Sequence, residues 1–162
     1  MKSKVAVWFV IPIAAGLFAV GYYALAPIFV VIEVQDEMPG RSTALEAGSA
    51  SLSAAAGDMR TAGPFPVEGT TGHPARGSVQ LYEQEGVVTI RFEDFSTING
   101  PNLHLYLSKD LEASEFIDLG PIKGTKGNIN YVLPDGVDLS QYPYILHWCV
   151  PFSVLFNYVR IQ

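Results

Sequence analysis

One cysteine and three histidines, Cys149 with His73, His104 and His147, have the widest chemical repertoire in this chain. His147 and Cys149 are two positions apart and would share a face on a strand. A His2Cys set suits a type 1 copper centre. Copper loops of that kind supply a further His or Met just after the Cys, whereas Val150, Pro151, Phe152 and Ser153 come next here. Nothing in the sequence brings His73 or His104 near, so no metal site is expected and His147 reads as a surface or interstrand side chain. A thiolate–imidazole pair is the second option, but side chains at i and i+2 diverge unless the sheet bends, and there is no Gly-rich nucleophile turn. Glu83, Glu85, Glu93, Asp94, Glu112 and Glu115 fall at turns and strand ends and read as a solvated surface. The glycine-rich run 120–128 lacks Walker spacing and a following helix, so it reads as a long turn whose glycines accept positive φ. From the residues alone, Cys149 beside Trp148 in an apolar strand is by default a buried, inert side chain. Stand-alone catalysis is not expected.

The segments that must position these residues fall into four parts. Residues 5–32 contain no Asp, Glu, Lys or Arg. A bilayer core needs about 20 helical residues, so this run is expected to be a transmembrane helix. Lys2 and Lys4 precede it in a short tip, 1–4, and all 16 acidic residues lie after it, with 8 of the 10 basic ones. The positive-inside rule then places the tip in the cytoplasm and the acidic body outside, as a single-pass protein of the cell membrane whose lipid contact is residues 5–32. A cleaved signal peptide is the rival reading, on Ala24-Leu25-Ala26, but Pro27 comes directly after that site and the apolar run continues through Ile32. An acidic body without a basic stripe argues against a nucleic-acid partner. Residues 33–61, rich in Ala, Ser, Gly and Thr, read as a flexible stalk with a short helix around 43–56 as an option.

From residue 62 to 162 short β-rich runs recur between Gly, Pro, Asn and Asp. Strands are expected at 78–82, 87–92, 103–108, 116–119, 129–133, 144–150 and 154–161, the first two forming a hairpin across Gln84-Glu85-Gly86. The fold class is all-β, an antiparallel sandwich or barrel of about 7–8 short strands. Phe92, Phe95, Trp148, Phe152 and Phe156 are the candidate core aromatics. A single cysteine allows no intrachain disulfide, so the core must suffice.

Several stretches resemble one family. They are Gly72-His73-Pro74-Ala75-Arg76-Gly77, Phe92-Glu93-Asp94-Phe95, Asn99-Gly100-Pro101-Asn102-Leu103-His104-Leu105-Tyr106-Leu107-Ser108, Ile117-Asp118-Leu119-Gly120-Pro121-Ile122-Lys123-Gly124, Lys126-Gly127-Asn128-Ile129-Asn130-Tyr131 and Trp148-Cys149-Val150-Pro151-Phe152-Ser153-Val154-Leu155-Phe156. In this order and spacing the region from about residue 62 to the end is similar to the DM13 domain. The resemblance implies an extracytoplasmic β-sandwich with an electron-transfer role and a redox or surface protein partner. It puts Cys149 at the family's characteristic cysteine, as a bare redox thiol or as the holder of a prosthetic group such as haem, and His73 at its early histidine. Trp148, Phe152 and Phe156 would then contribute to an apolar slot for a haem. The alternative is a stalked binding or adhesion module, with recognition loops at 99–102 and 120–128 and Cys149 in the core.

Overall fold

The computed structural model describes residues 15–16, 20–22, 30–40 and 59–162. Nine strands succeed one another: β1 Glu33–Gln35, β2 Arg60–Gly69, β3 Ala75–Gln84, β4 Val87–Thr97, β5 Leu103–Ser108, β6 Phe116–Pro121, β7 Lys126–Val132, β8 Tyr144–Cys149 and β9 Val154–Arg160. They form one curled mixed sheet, a half-barrel, in the order β1-β7-β4-β3-β2-β9-β8-β5-β6. β2 joins the two halves: its first part pairs with β3, and Val67 to Gly69 pair with β9. The all-β expectation holds, with two corrections. The strands belong to one sheet, and the pair β1–β7 is parallel rather than antiparallel.

Alternation explains the core. Cross-strand partners Val79, Phe92 and Ile129 point inward from one half, as do Leu105, His147 and Asn157 from the other. The main cluster gathers Val67, Val79, Ile90, Phe92, Phe95, Leu105, Leu107, Ile129, Ile145 and Val159. A smaller one holds Leu103, Cys149 and Phe156, with Ile98, Ile122 and Val154 against it. Of the candidate core aromatics, Phe92, Phe95 and Phe156 are buried, but Phe152 is 57% exposed on the turn after Cys149. Trp148 is half-buried on the outer face, because its partner His104 points outward too.

The segment ahead of the domain departs most from expectation. Val30, Val31 and Ile32 are not helical. Most of the expected span 5–32 and the optional helix 43–56 lie outside the described residues. Among the described residues no helix is long and apolar enough to cross a membrane. Within residues 33–40, assigned to the stalk by composition, Glu33–Gln35 instead form a strand of the sheet and the next two residues are tied beside it. Glu33, Val34 and Gln35 pair with Lys126, Gly127 and Asn128, and the Asp36 N–H donates to the Asn128 carbonyl at 2.8 Å. The Arg91 guanidinium, 5% exposed, donates to the carbonyls of Asp36 and Glu37, to Asn130 Oδ1 and to Glu93. The glycines of the 120–128 run make this docking possible. A Cβ on Gly127, at φ +112°, would overlap the Val34 carbonyl oxygen, and one on Gly124 would come within 2.7 Å of the Val34 side chain.

Candidate functional site at Cys149

β8 carries Ile145, His147 and Cys149 on its inner face, opposite Leu107, Leu105 and Leu103 of β5. The shared face expected of His147 and Cys149 is present, yet the two groups meet different surroundings. His147 sits in the main core, 1% exposed, stacked on Phe95 at 4.9 Å between centroids and edge-on to Phe92 at 5.1 Å. It is therefore neither a surface nor an ordinary interstrand polar side chain. Among the described residues neither of its ring nitrogens has a hydrogen-bond partner, nor does Asn157 Oδ1 across the strand pair. Burial pushes the imidazole pKa down to about 3. The ring is neutral at any physiological pH.

Cys149 ends β8 in the smaller cluster. It is 1% exposed, and its Sγ donates to the Pro101 carbonyl at 3.3 Å. Burial raises the thiol pKa, opposed by the Phe152 backbone N–H. The protonated thiol is thus the resting form, and the thiolate that attacks or ligates is suppressed. The cover over it is the 99–102 loop. Gly100 lies so close to Phe156 that a Cβ there would sit 2.7 Å from the ring, and the Val150 N–H donates to the Asn102 carbonyl at 3.2 Å. This loop is also tied to the segment before β1, because Asn99 Nδ2 donates to the Val30 carbonyl at 3.2 Å.

His73 does come to this end of the half-barrel, contrary to the expectation from sequence distance. Its ring lies 4.0 Å from that of Phe156 between centroids, with Nδ1 3.2 Å from Thr70 Oγ1. The Thr70 hydroxyl lies within bonding distance of the Leu155 and Phe156 carbonyls, which fixes the turn on β9. His104 stays away, on the outer face, where Nδ1 meets Asp118 at 2.8 Å and Nε2 lies 3.3 Å from Asn102 Oδ1. Among the described residues no group of three or more His, Cys, Asp or Glu could hold a metal ion. One carboxylate departs from a purely solvated reading: Glu93 is half-buried against Arg91, whereas Glu115 pairs with Lys109 on the exposed surface.

A haem on Cys149 would need a thiolate and an apolar slot beside it. The residues present do not fit that group. The sulfur faces a carbonyl inside a packed cluster, Gly100 and Phe156 leave no gap, Trp148 points to the other side of the sheet and Phe152 points into solvent. The groove of about 450 Å³ lies elsewhere, lined by Pro39, Met59, Tyr82, Gln84 and Val132.

The fold and site thus define a small β domain with one sequestered cysteine under a short loop. The sequence model of the family described as Electron transfer DM13 matches residues 67–161, and the chain belongs to that family. No curated protein and no solved structure matches the chain. The family match starts at Val67, so β1 and the first part of β2 lie outside the matched region. Sequence reasoning missed the lid on Cys149 and the strap of residues 30–40. The one sequence signal for the lid was Asn99-Gly100-Pro101-Asn102, a turn-forming run flanked by apolar residues.

Proposed function

We propose that this chain is a membrane-anchored electron-transfer module whose β domain faces the extracytoplasmic side and whose working group is Cys149. The observation that carries the reading is the convergence at one end of the half-barrel. His73, the 99–102 loop, Cys149 and Phe156 all belong to family-like stretches, and they meet in a cluster separate from the main core. A thiol held protonated under a four-residue cover is protected from chance oxidation and becomes reactive when the cover lifts. The step then open to it is thiol–disulfide exchange. The exposed thiol loses its proton to solvent, and its sulfur attacks one sulfur of a partner's disulfide. A mixed disulfide forms as the partner's second sulfur leaves as a thiolate. The chain has no second cysteine, so the resolving thiol belongs to the partner.

The anchor rests on the charge-free run 5–32 and on the exposure of its last three residues. Val30, Val31 and Ile32 are 52%, 67% and 40% exposed, apolar and non-helical. This suits chain leaving a bilayer and entering the sheet within a few residues. Fractionation of the full chain with protease protection tests it: release of the intact chain into the soluble fraction would refute it.

The redox role is tested by incubating the full chain in membranes with oxidised glutathione and weighing it intact. One adduct, absent from Cys149→Ser, is the expected result. No adduct until denaturant is added would sink the redox reading. The 1% exposure of Cys149 would then favour the second reading, a binding module in which this cysteine is core.

A further inference from the structure

The outer face of β5, β6 and β8 carries an arrangement of oxidisable rings that Cys149 chemistry does not use. Tyr106 lies between Phe116, at 4.1 Å between centroids and 12° between planes, and Trp148, at 6.2 Å and 24°. Small interplanar angles at these spacings mean offset stacking. Phe116 covers one face of Tyr106, and Trp148 lies near enough to Tyr106, with its plane close to parallel, for electronic contact. Tyr106 is only 5% exposed, while Phe116 is 43% exposed and caps the stack. Asp118 is the cross-strand partner of Tyr106, and its carboxylate is held by His104 at 2.8 Å.

We propose that Trp148 and Tyr106 form a one-electron relay on this face, serving a high-potential metal-centred one-electron oxidant. The indole of Trp148 gives one electron to the oxidant, which is reduced by one unit. Tyr106 refills the indole with one electron as its phenol O–H bond breaks. The proton passes to water beside the Asp118–His104 pair, and a neutral tyrosyl radical remains until a one-electron donor restores it. Phe116 is not oxidised in this range; it shields one face of Tyr106 from solvent. The relay rests on the electron-transfer reading but not on Cys149, whose sulfur lies on the opposite face of the sheet. The competing site is Tyr158, whose hydroxyl donates to Glu68 at 2.7 Å and whose neighbouring ring, Tyr144, is edge-on at 6.4 Å.

The test uses the full chain in detergent micelles with photogenerated tris(bipyridine)ruthenium(III), read by transient absorption and freeze-quench EPR. The wild type should show an indole radical that decays into a tyrosyl radical. Tyr106→Phe keeps the stacked ring, and should lengthen the indole radical's life at least tenfold and remove most of the tyrosyl signal. Trp148→Phe should cut the tyrosyl yield several-fold, and Cys149→Ser should change neither. Tyrosyl yield unaffected by Tyr106→Phe, or lost in Tyr158→Phe instead, overturns the relay. A signal lost only in Cys149→Ser also overturns it, while leaving the thiol reading intact.

Discussion

His147 and Cys149 stand two residues apart on one face of one strand, both 1% exposed, and yet they are buried in different senses. His147 is enclosed by Phe92 and Phe95 in the main cluster, where every neighbour is itself held by the sheet. Reaching it requires the domain to open. Cys149 lies under a loop fastened by a few polar contacts: Asn99 to Val30, Val150 to Asn102 and its own thiol to Pro101. Reaching it requires that those contacts break and that Gly100 part from the Phe156 ring, a smaller disruption than opening the main cluster. Hydrogen bonds of this kind contribute about 1 kcal/mol each in net terms, far less than a packed core. Fractional exposure alone does not distinguish a core residue from a covered site; the nature of the cover does.

That contrast can be broken at several points. The largest effect is expected at the main cluster: Phe92→Ala should cost about 3–5 kcal/mol in chemical denaturation, unfolding both ends of β8 together. Phe156→Ala should cost less and, unlike Phe92→Ala at equal stability, should speed labelling of Cys149. A loss of labelling protection that tracks stability equally in both would erase the distinction between the clusters.

Arg91→Met tests the strap. It leaves the Asp36 carbonyl and the Asn130 oxygen without their donor, while the Glu37 carbonyl keeps the Asn130 amide, at an expected cost of about 2 kcal/mol after discounting the partly exposed Glu93 partner. Faster hydrogen exchange at the Asp36 N–H and freer movement of the Asn99 loop should accompany it. Unchanged exchange at Asp36 would mean that the strap does not depend on this clamp.

The pH dependence isolates His147. Its folded pKa is about 3 against an ordinary 6.5. The unfolded chain therefore takes up a proton between these values that the folded chain refuses. The contribution is complete above pH 6.5 and falls as pH drops towards 3, by up to about 1.4 kcal/mol per pH unit. Denaturation at about pH 6.5 and about pH 5 should show this slope in the wild type and a flatter one in His147→Leu. Equal slopes would place the proton uptake elsewhere. Asn99→Ala should have the smallest effect on stability, under about 1 kcal/mol, but should raise the labelling rate several-fold.

Regular alternation made much of this fold legible. β5 falls at the residues where Leu103, Leu105 and Leu107 alternate with His104 and Tyr106, and the β3–β4 hairpin turns at Glu85-Gly86 as its sequence indicates. β2 was hidden because Gly63, Pro64 and Pro66 interrupt it, and its register shifts between Ala62 and Phe65. β1 was hidden for a different reason. Three residues have no pattern of their own, and their pairing depends on Gly124 and Gly127 some ninety positions later. At the site, the sequence located Cys149 and its shared face with His147. The contact of His73 with Phe156 depends on β2 bringing its turn beside β9, and the outward direction of Trp148 on pairing with His104. Neither pairing can be read from the local residues.

The most direct test of a covered thiol is the rate at which a small thiol reagent modifies Cys149 in the native full chain across low denaturant concentrations. A loop that lifts locally predicts labelling at least about 100-fold slower than in the unfolded chain, with a rate nearly independent of denaturant until global unfolding takes over. Labelling as fast as in the unfolded chain would contradict the cover itself. Labelling that tracks global unfolding at every denaturant concentration would contradict the claim that this buried thiol is a covered site rather than core.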